Sequence, residues 1–282
     1  MHSCLHSVLH SYSVKLAILT LILGISISGT AQTFSVTGAR QNAMGGTSLT
    51  VNDVFSAANN QAGLAFIEDM QAGIFTERKF LLSGLNHFTG VFALPTSSGT
   101  FGLTIDYFGY SKFNEKKAGI AYGRKVGENF SAGIQLDYVQ LSIPEYGNKN
   151  IFTFEVGMQY KIMEELMVGA HIFNPLRWTT TEFTDEKYPT LLSLGIAYNP
   201  SEKVLLILET EKDIDNPLRF RTGLEYKLVE KLHLRGGYST YPSMYSFGIG
   251  INLNALKIDV ASTVHPVLGF SPQLGIIYQI ND

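Results

Sequence analysis

The stretch Leu268–Ile280, LGFSPQLGIIYQI, places apolar residues at Leu268, Phe270, Pro272, Leu274, Ile276, Tyr278 and Ile280. Between them stand Gly269, Ser271, Gln273, Gly275, Ile277 and Gln279, small or polar with one exception. Successive side chains on a strand point to opposite faces, so this is a strand with one apolar side and one polar side. It exceeds the usual soluble strand, and about nine to eleven tilted residues suffice to cross a bilayer core.

The same alternation fills the chain from Asp69 onward. Leu218, Phe220, Thr222, Leu224, Tyr226 and Leu228 interleave with Arg219, Arg221, Gly223, Glu225 and Lys227. Fourteen strands are expected, near 69–79, 86–94, 99–109, 115–124, 128–141, 151–162, 165–173, 189–198, 203–212, 218–228, 231–239, 244–253, 255–264 and 268–280. The first and ninth carry the weakest patterns. Tight connections such as Lys125–Asn129, Met163–Glu165 and Val229–Lys231 alternate with mostly longer ones, notably Ser142–Asn150 and Asn174–Lys187. Outer-membrane barrels have this arrangement, with short turns on the periplasmic side and an even strand number. Both termini are then expected in the periplasm of a Gram-negative bacterium.

Composition agrees. Charged residues are only 16% of the chain, below the roughly 25% of soluble domains. The net charge of −3 shows no basic excess for a nucleic-acid partner. Lys15, the apolar run Leu16–Ile27 and the small residues Gly29-Thr30-Ala31 predict a secretory signal over 1–31. The only cysteine, Cys4, leaves with it, which excludes disulfides and thiolate metal sites. After the signal no apolar run is long enough for a spanning helix, and a membrane protein without such helices must close its sheet.

No catalytic, metal or cofactor constellation emerges. His87, His171, His233 and His265 show no metal spacing, and no Gly-x-Ser-x-Gly elbow is present. The expectation is a protein that is not an enzyme. Asp137, Glu155, Arg219, Arg221, Glu225, Lys227, His233, Arg235, Lys257 and Asp259 fall on the inward face, as mixed-sign lumen-facing residues. Tyr122, Tyr160, Tyr198, Tyr226 and Tyr278 each end a Gly-x-x-Tyr pattern on the apolar face, which predicts an aromatic girdle.

Residues 32–66 lack sustained alternation and precede a barrel over 67–282. Arg40, Met44-Gly45-Gly46, Asp53 and Asn59-Asn60-Gln61-Ala62-Gly63-Leu64 occur there in order. This segment resembles the N-terminus of FadL-like outer-membrane proteins, including the PorV/PorQ branch linked to type IX secretion. That branch shows Arg, Met-Gly-Gly, Asp and Asn-Pro-Ala-Gly-Leu; here Gln61 stands in the place of Pro. Gly169-Ala-His-Ile-Phe-Asn174-Pro175, Arg235-Gly-Gly-Tyr238 and His265–Ser271 also look like that branch. The resemblance implies fourteen strands and a small luminal N-terminal plug carrying Arg40, Met44, Gly45, Gly46, Asp53, Asn60, Ala62 and Gly63. It leaves two functions open: a channel for small hydrophobic compounds, or an accessory barrel that binds envelope secretion proteins. A barrel that is structural only is the third. Outer-membrane lipid is the partner common to all three, and Trp178 and Phe183 would be anchors for a protein partner.

Overall fold

The computed structural model describes residues 36–143, 147–176 and 188–280. The expected signal over 1–31, and Trp178 and Phe183, lie outside the described residues. Fourteen antiparallel strands form one closed barrel. They are β1 Met70–Arg78, β2 Asn86–Thr96, β3 Gly99–Tyr110, β4 Phe113–Lys125, β5 Phe130–Ile143, β6 Gly147–Met163 and β7 Leu166–Phe173. The second half comprises β8 Leu191–Ser201, β9 Val204–Asp213, β10 Arg219–Val229, β11 Leu232–Ser239, β12 Met244–Leu253, β13 Leu256–His265 and β14 Gly269–Ile280. Each strand pairs with its sequence neighbours, and β1 closes on β14 from Met70↔Ile280 to Glu77↔Gln273. No helix among the described residues is long and apolar enough to cross a membrane.

The pleat sorts the side chains. Along β12, Ser246, Gly248 and Gly250 are buried inside, while Tyr245, Phe247, Ile249 and Ile251 are exposed outside. Leu224 faces outward beside the buried Glu225. An apolar exterior over a polar interior inverts a soluble protein and matches a barrel solvated by lipid. Closure also leaves no unpaired edge, so backbone groups in lipid keep their partners.

One expected loop is a continued hairpin. Ser142–Asn150 reads as a connection, yet β5 runs to Ile143 and β6 starts at Gly147. Polar side chains tie its outer face together, Ser142 donating to Asn148 (2.6 Å) and Tyr138 to Asn150 (3.0 Å). Sequence alternation fades there because both faces meet water, not because the ladder ends.

The rim at Met70 and Ile280 is called proximal, and the opposite one distal. Residues 36–67 lie within the barrel. They form two helical turns, Ala39–Ala43 and Ser56–Asn59, and a 3-10 stretch, Gln61–Phe66. Ala39, Ala43, Val54, Phe55, Ala57 and Leu64 join inward residues Phe75, Val91, Ala93, Ala121, Ala261 and Ile277 in one apolar cluster. The barrel's own interior is too polar to supply such a core alone.

Candidate functional site

The lumen and the segment inside it form the candidate site. Two kinds of contact hold this segment. Against β13, β14, β1, β2 and β4 the contacts are apolar, as above. A second apolar cluster joins Met44 and Val51 to Ala197 on β8 and Ile207 on β9, while against β6, β10 and β11 and at Glu209 the contacts are polar.

Arg40 makes a two-pronged contact with Glu225, its Nε 2.9 Å and Nη2 2.7 Å from the carboxylate oxygens. Paired parallel donors of this kind fit a carboxylate in geometry as well as charge. Glu225 also accepts from Arg235 (2.5 Å), which reaches on to Asp259 (2.6 Å). Burial alone would lower the Arg40 pKa; the Glu225 carboxylate beside it outweighs that and raises it above the ordinary guanidinium value. Asp53 stays within the segment, accepting from Gln41 Nε2 (3.1 and 3.0 Å) and the Phe55 amide (2.9 Å), with Arg40 at 3.8 Å. Burial pushes its carboxyl up, against the pull of Arg40.

Further round the wall, Glu209 accepts the Ser48 and Leu49 amides at 2.8 and 2.7 Å. Gln159 donates to the Leu49 carbonyl (2.7 Å) and Asn52 (3.0 Å). Asn60 caps the 3-10 stretch by accepting from the Ala62 amide (3.2 Å), and donates to the Leu49 carbonyl (2.7 Å). Gln61 donates to Glu155 (2.8 Å). Met44 and Ala62 are fully buried. Gly45 and Gly46 adopt φ of 73° and 79°, a region glycine enters without strain. A Cβ on Gly237 would clash with the Gly45 amide, so bare backbone rests on bare backbone there. A Cβ on Gly63 would strike the Ser56 hydroxyl.

On the distal side of this segment lies a charged layer. Lys117 stands 3.0 Å from Glu155 and 3.9 Å from Asp137, and His171 lies 3.0 Å from Glu155. Arg219 and Arg221 share Glu211 at 3.2 and 2.8 Å. Beyond it, the end of the β7–β8 connection turns into the mouth. Tyr188 is buried against Phe173 and donates to Glu115 on β4 (3.0 Å), while Asn174 donates to the Tyr188 and Pro189 carbonyls. Burial, with Glu115 adding to it, raises the Tyr188 hydroxyl well above its usual value of 10.

All ten lumen-facing positions read from the sequence point inward, in separate groups. Arg40, Glu225, Arg235 and Asp259 meet; Asp137 and Glu155 meet around Lys117. Lys227 sits at the proximal rim with Glu230 (2.9 Å); His233 and Lys257 face inward and form no ion pair among the described residues. Tyr160, Tyr198, Tyr226 and Tyr278 are exposed outside; Tyr122 is half-buried and donates to the Ser98 carbonyl (2.7 Å). Sequence reading passed over Glu209, Gln159, Lys117 and Tyr188. The first three were available from strand parity alone; Tyr188 was not, since its burial depends on how the connection folds back. Between Arg40, Glu225, Lys227, His233, Lys203 and Leu205 a basin of about 440 Å³ opens at the proximal rim.

No protein-family model matches the sequence, and no curated protein matches it. Solved structures do. The toluene transporter TbuX of Ralstonia pickettii aligns with a TM-score of 0.65 and 13% identity, over 88% of this chain and 100% of that one. The chain has the fold of the FadL-like hydrocarbon transporters. The CymD monoaromatic hydrocarbon channel gives a TM-score of 0.67 at 12% identity, over 89% and 100%. A FadL homologue of Pseudomonas aeruginosa gives 0.58 at 14%, over 88% and 97%. TbuX is a toluene transporter and CymD a monoaromatic hydrocarbon channel; the closed barrel with its apolar exterior itself fits an outer membrane.

Proposed function

We propose that this FadL-like barrel is a non-enzymatic outer-membrane channel for small hydrophobic compounds, opened by movement of residues 36–67. The observation that carries the reading is the way that segment is held. It fills the barrel and runs on into β1, yet none of its described residues pairs as a rung of the sheet, so it can shift while the wall stays closed. The fold shared with a toluene transporter and a monoaromatic hydrocarbon channel supports small hydrophobic compounds as the substrate class. Both termini lie in the periplasm, with the proximal basin as the exit.

The test is uptake of a labelled monoaromatic hydrocarbon into proteoliposomes of the full chain. Uptake above that of protein-free vesicles, and faster still in Arg40→Ala, supports the channel. Uptake equal to protein-free vesicles in both removes it.

A second reading is the PorV/PorQ type, an accessory barrel of type IX secretion. The charged layer around Lys117 and the inturned Tyr188 favour it, because both obstruct a straight apolar path. Retention of named secretion-machinery components by the tagged protein from native membranes, without hydrocarbon uptake, would select it.

A further inference from the structure

The apolar exterior does not reach the same height all round the barrel. On β4 the outward surface becomes charged at Lys116, six residues beyond Tyr122. With about 3.3 Å rise per residue and ~45° tilt, that is roughly 14 Å above the girdle. On β14 it stays apolar through Phe270 to the strand end at Gly269, nine residues beyond Tyr278, at roughly 21 Å by the same measure, and the turn beyond adds Leu268 and Val267. Val267 is 83% exposed at the very tip. The β5–β6 hairpin, by contrast, ends in the polar Asn148 and Asn150.

Beside the β13–β14 tip, β1 leaves the sheet at Arg78, so Gly269–Pro272 of β14 have no partner on β1. A strap, Lys79–Leu81, covers the gap, with the Phe80 amide donating to Ser271 (2.9 Å). Phe80 and Leu81 hold φ of 54° and 59°, uncommon for residues with a bulky Cβ. That turn presents Leu81 and Leu82 to the outside, more than half exposed. Arg78 beside them is exposed and makes no side-chain hydrogen bond or ion pair among the described residues.

We propose that this distal crest, built from the strap and the β13–β14 tip, is a lipid-binding surface seated in the distal leaflet, with Arg78 taking an anionic headgroup. The occupant is lipid because the apolar outward row of β14 runs on into the crest, which at roughly 21 Å lies within the apolar band of a barrel, about 25 Å tall. Arg78 lies at the base of the crest, six residues beyond Ala72, the partner of Tyr278, and its long side chain can extend upward to bring the guanidinium to a phosphate.

The experiment uses the full chain with Cys4→Ser and one new cysteine, Val267→Cys, Leu82→Cys or Asn148→Cys, each carrying an environment-sensitive fluorophore. The vesicles are phosphatidylcholine with nitroxide-labelled lipid. Nitroxide at a shallow acyl position should quench the Val267 and Leu82 sites several-fold more than the Asn148 site, and aqueous iodide should show the reverse order. Moving the nitroxide to phosphatidylglycerol should deepen quenching at Leu82, and Arg78→Gln should abolish that increment. Iodide access at Val267 equal to that at Asn148 would place the crest in water and overturn the proposal. Shielding from both quenchers would assign it to a protein or a second copy, and overturn it equally. Quenching by phosphatidylcholine alone, unchanged in Arg78→Gln, would overturn the headgroup role.

Discussion

Leu224 and Lys227 are neighbours on β10 with opposite surroundings, and they make the assignment of faces testable one residue at a time. Leu224 meets lipid near mid-depth, where an arginine costs about 2–4 kcal/mol. Lys227 lies inside, paired with an almost fully exposed glutamate, and such pairs contribute only about 0–1 kcal/mol. Leu224→Arg should therefore lower the yield of heat-resistant folded barrel on a gel, and Lys227→Gln should not. Glu225 would be a poor control, since it holds both Arg40 and Arg235. Removing Arg40 instead leaves Glu225 with Arg235, so Arg40→Ala should keep the barrel folded while loosening the segment inside. Single-channel recordings should show more frequent openings than the wild type, and identical traces would mean that this pair does not restrain it.

Among the elements, the strands were largely legible and the interior was not. Period-two patterning places all fourteen within a few residues because lipid outside and polar groups inside enforce it at every turn of the pleat. The start of β6 escaped, since Gly147–Asn150 has water on both faces and no reason to alternate. The luminal charges were readable as inward, but not their partners: shared parity says that Glu155 and Arg219 face the same cavity, not that one meets Lys117 and the other Glu211. The 3-10 stretch Gln61–Phe66 gives an element-level test. Gln61 is its first residue, a position where proline is well tolerated because the amide there lacks a helical partner. Gln61→Pro should fold, yet lose the hydrogen bond to Glu155. Limited proteolysis within 36–67 should then be faster than in wild type at equal barrel content. An unchanged rate would mean that Gln61 adds nothing to the seating.

For the whole molecule the central question is whether residues 36–67 fill the barrel or help to build it. The wall closes through β1 and β14 without them, each residue from Met70 to Glu77 having a partner. Their contacts are to inward side chains, to inner-face glycines such as Gly237 and Gly157 and, through the Asn60 side chain, to the Met158 carbonyl, never as a rung of the ladder. Deleting 38–58 should therefore leave a folded, heat-modifiable barrel. It will be less stable, because Phe75, Val91 and Ala261 lose the apolar groups that cover them, and Glu209 loses the two amides it accepts. Its conductance in a planar bilayer should rise well above that of the full chain, limited then by the charged layer around Lys117 and by Tyr188 at the distal mouth. Adding Tyr188→Ala to the deletion should raise it again, since two obstructions in series each contribute resistance. A deletion that prevents folding would make the segment part of the wall's construction. A folded deletion with unchanged conductance would leave the distal layer as the sole barrier, and the second substitution would then carry the whole increase.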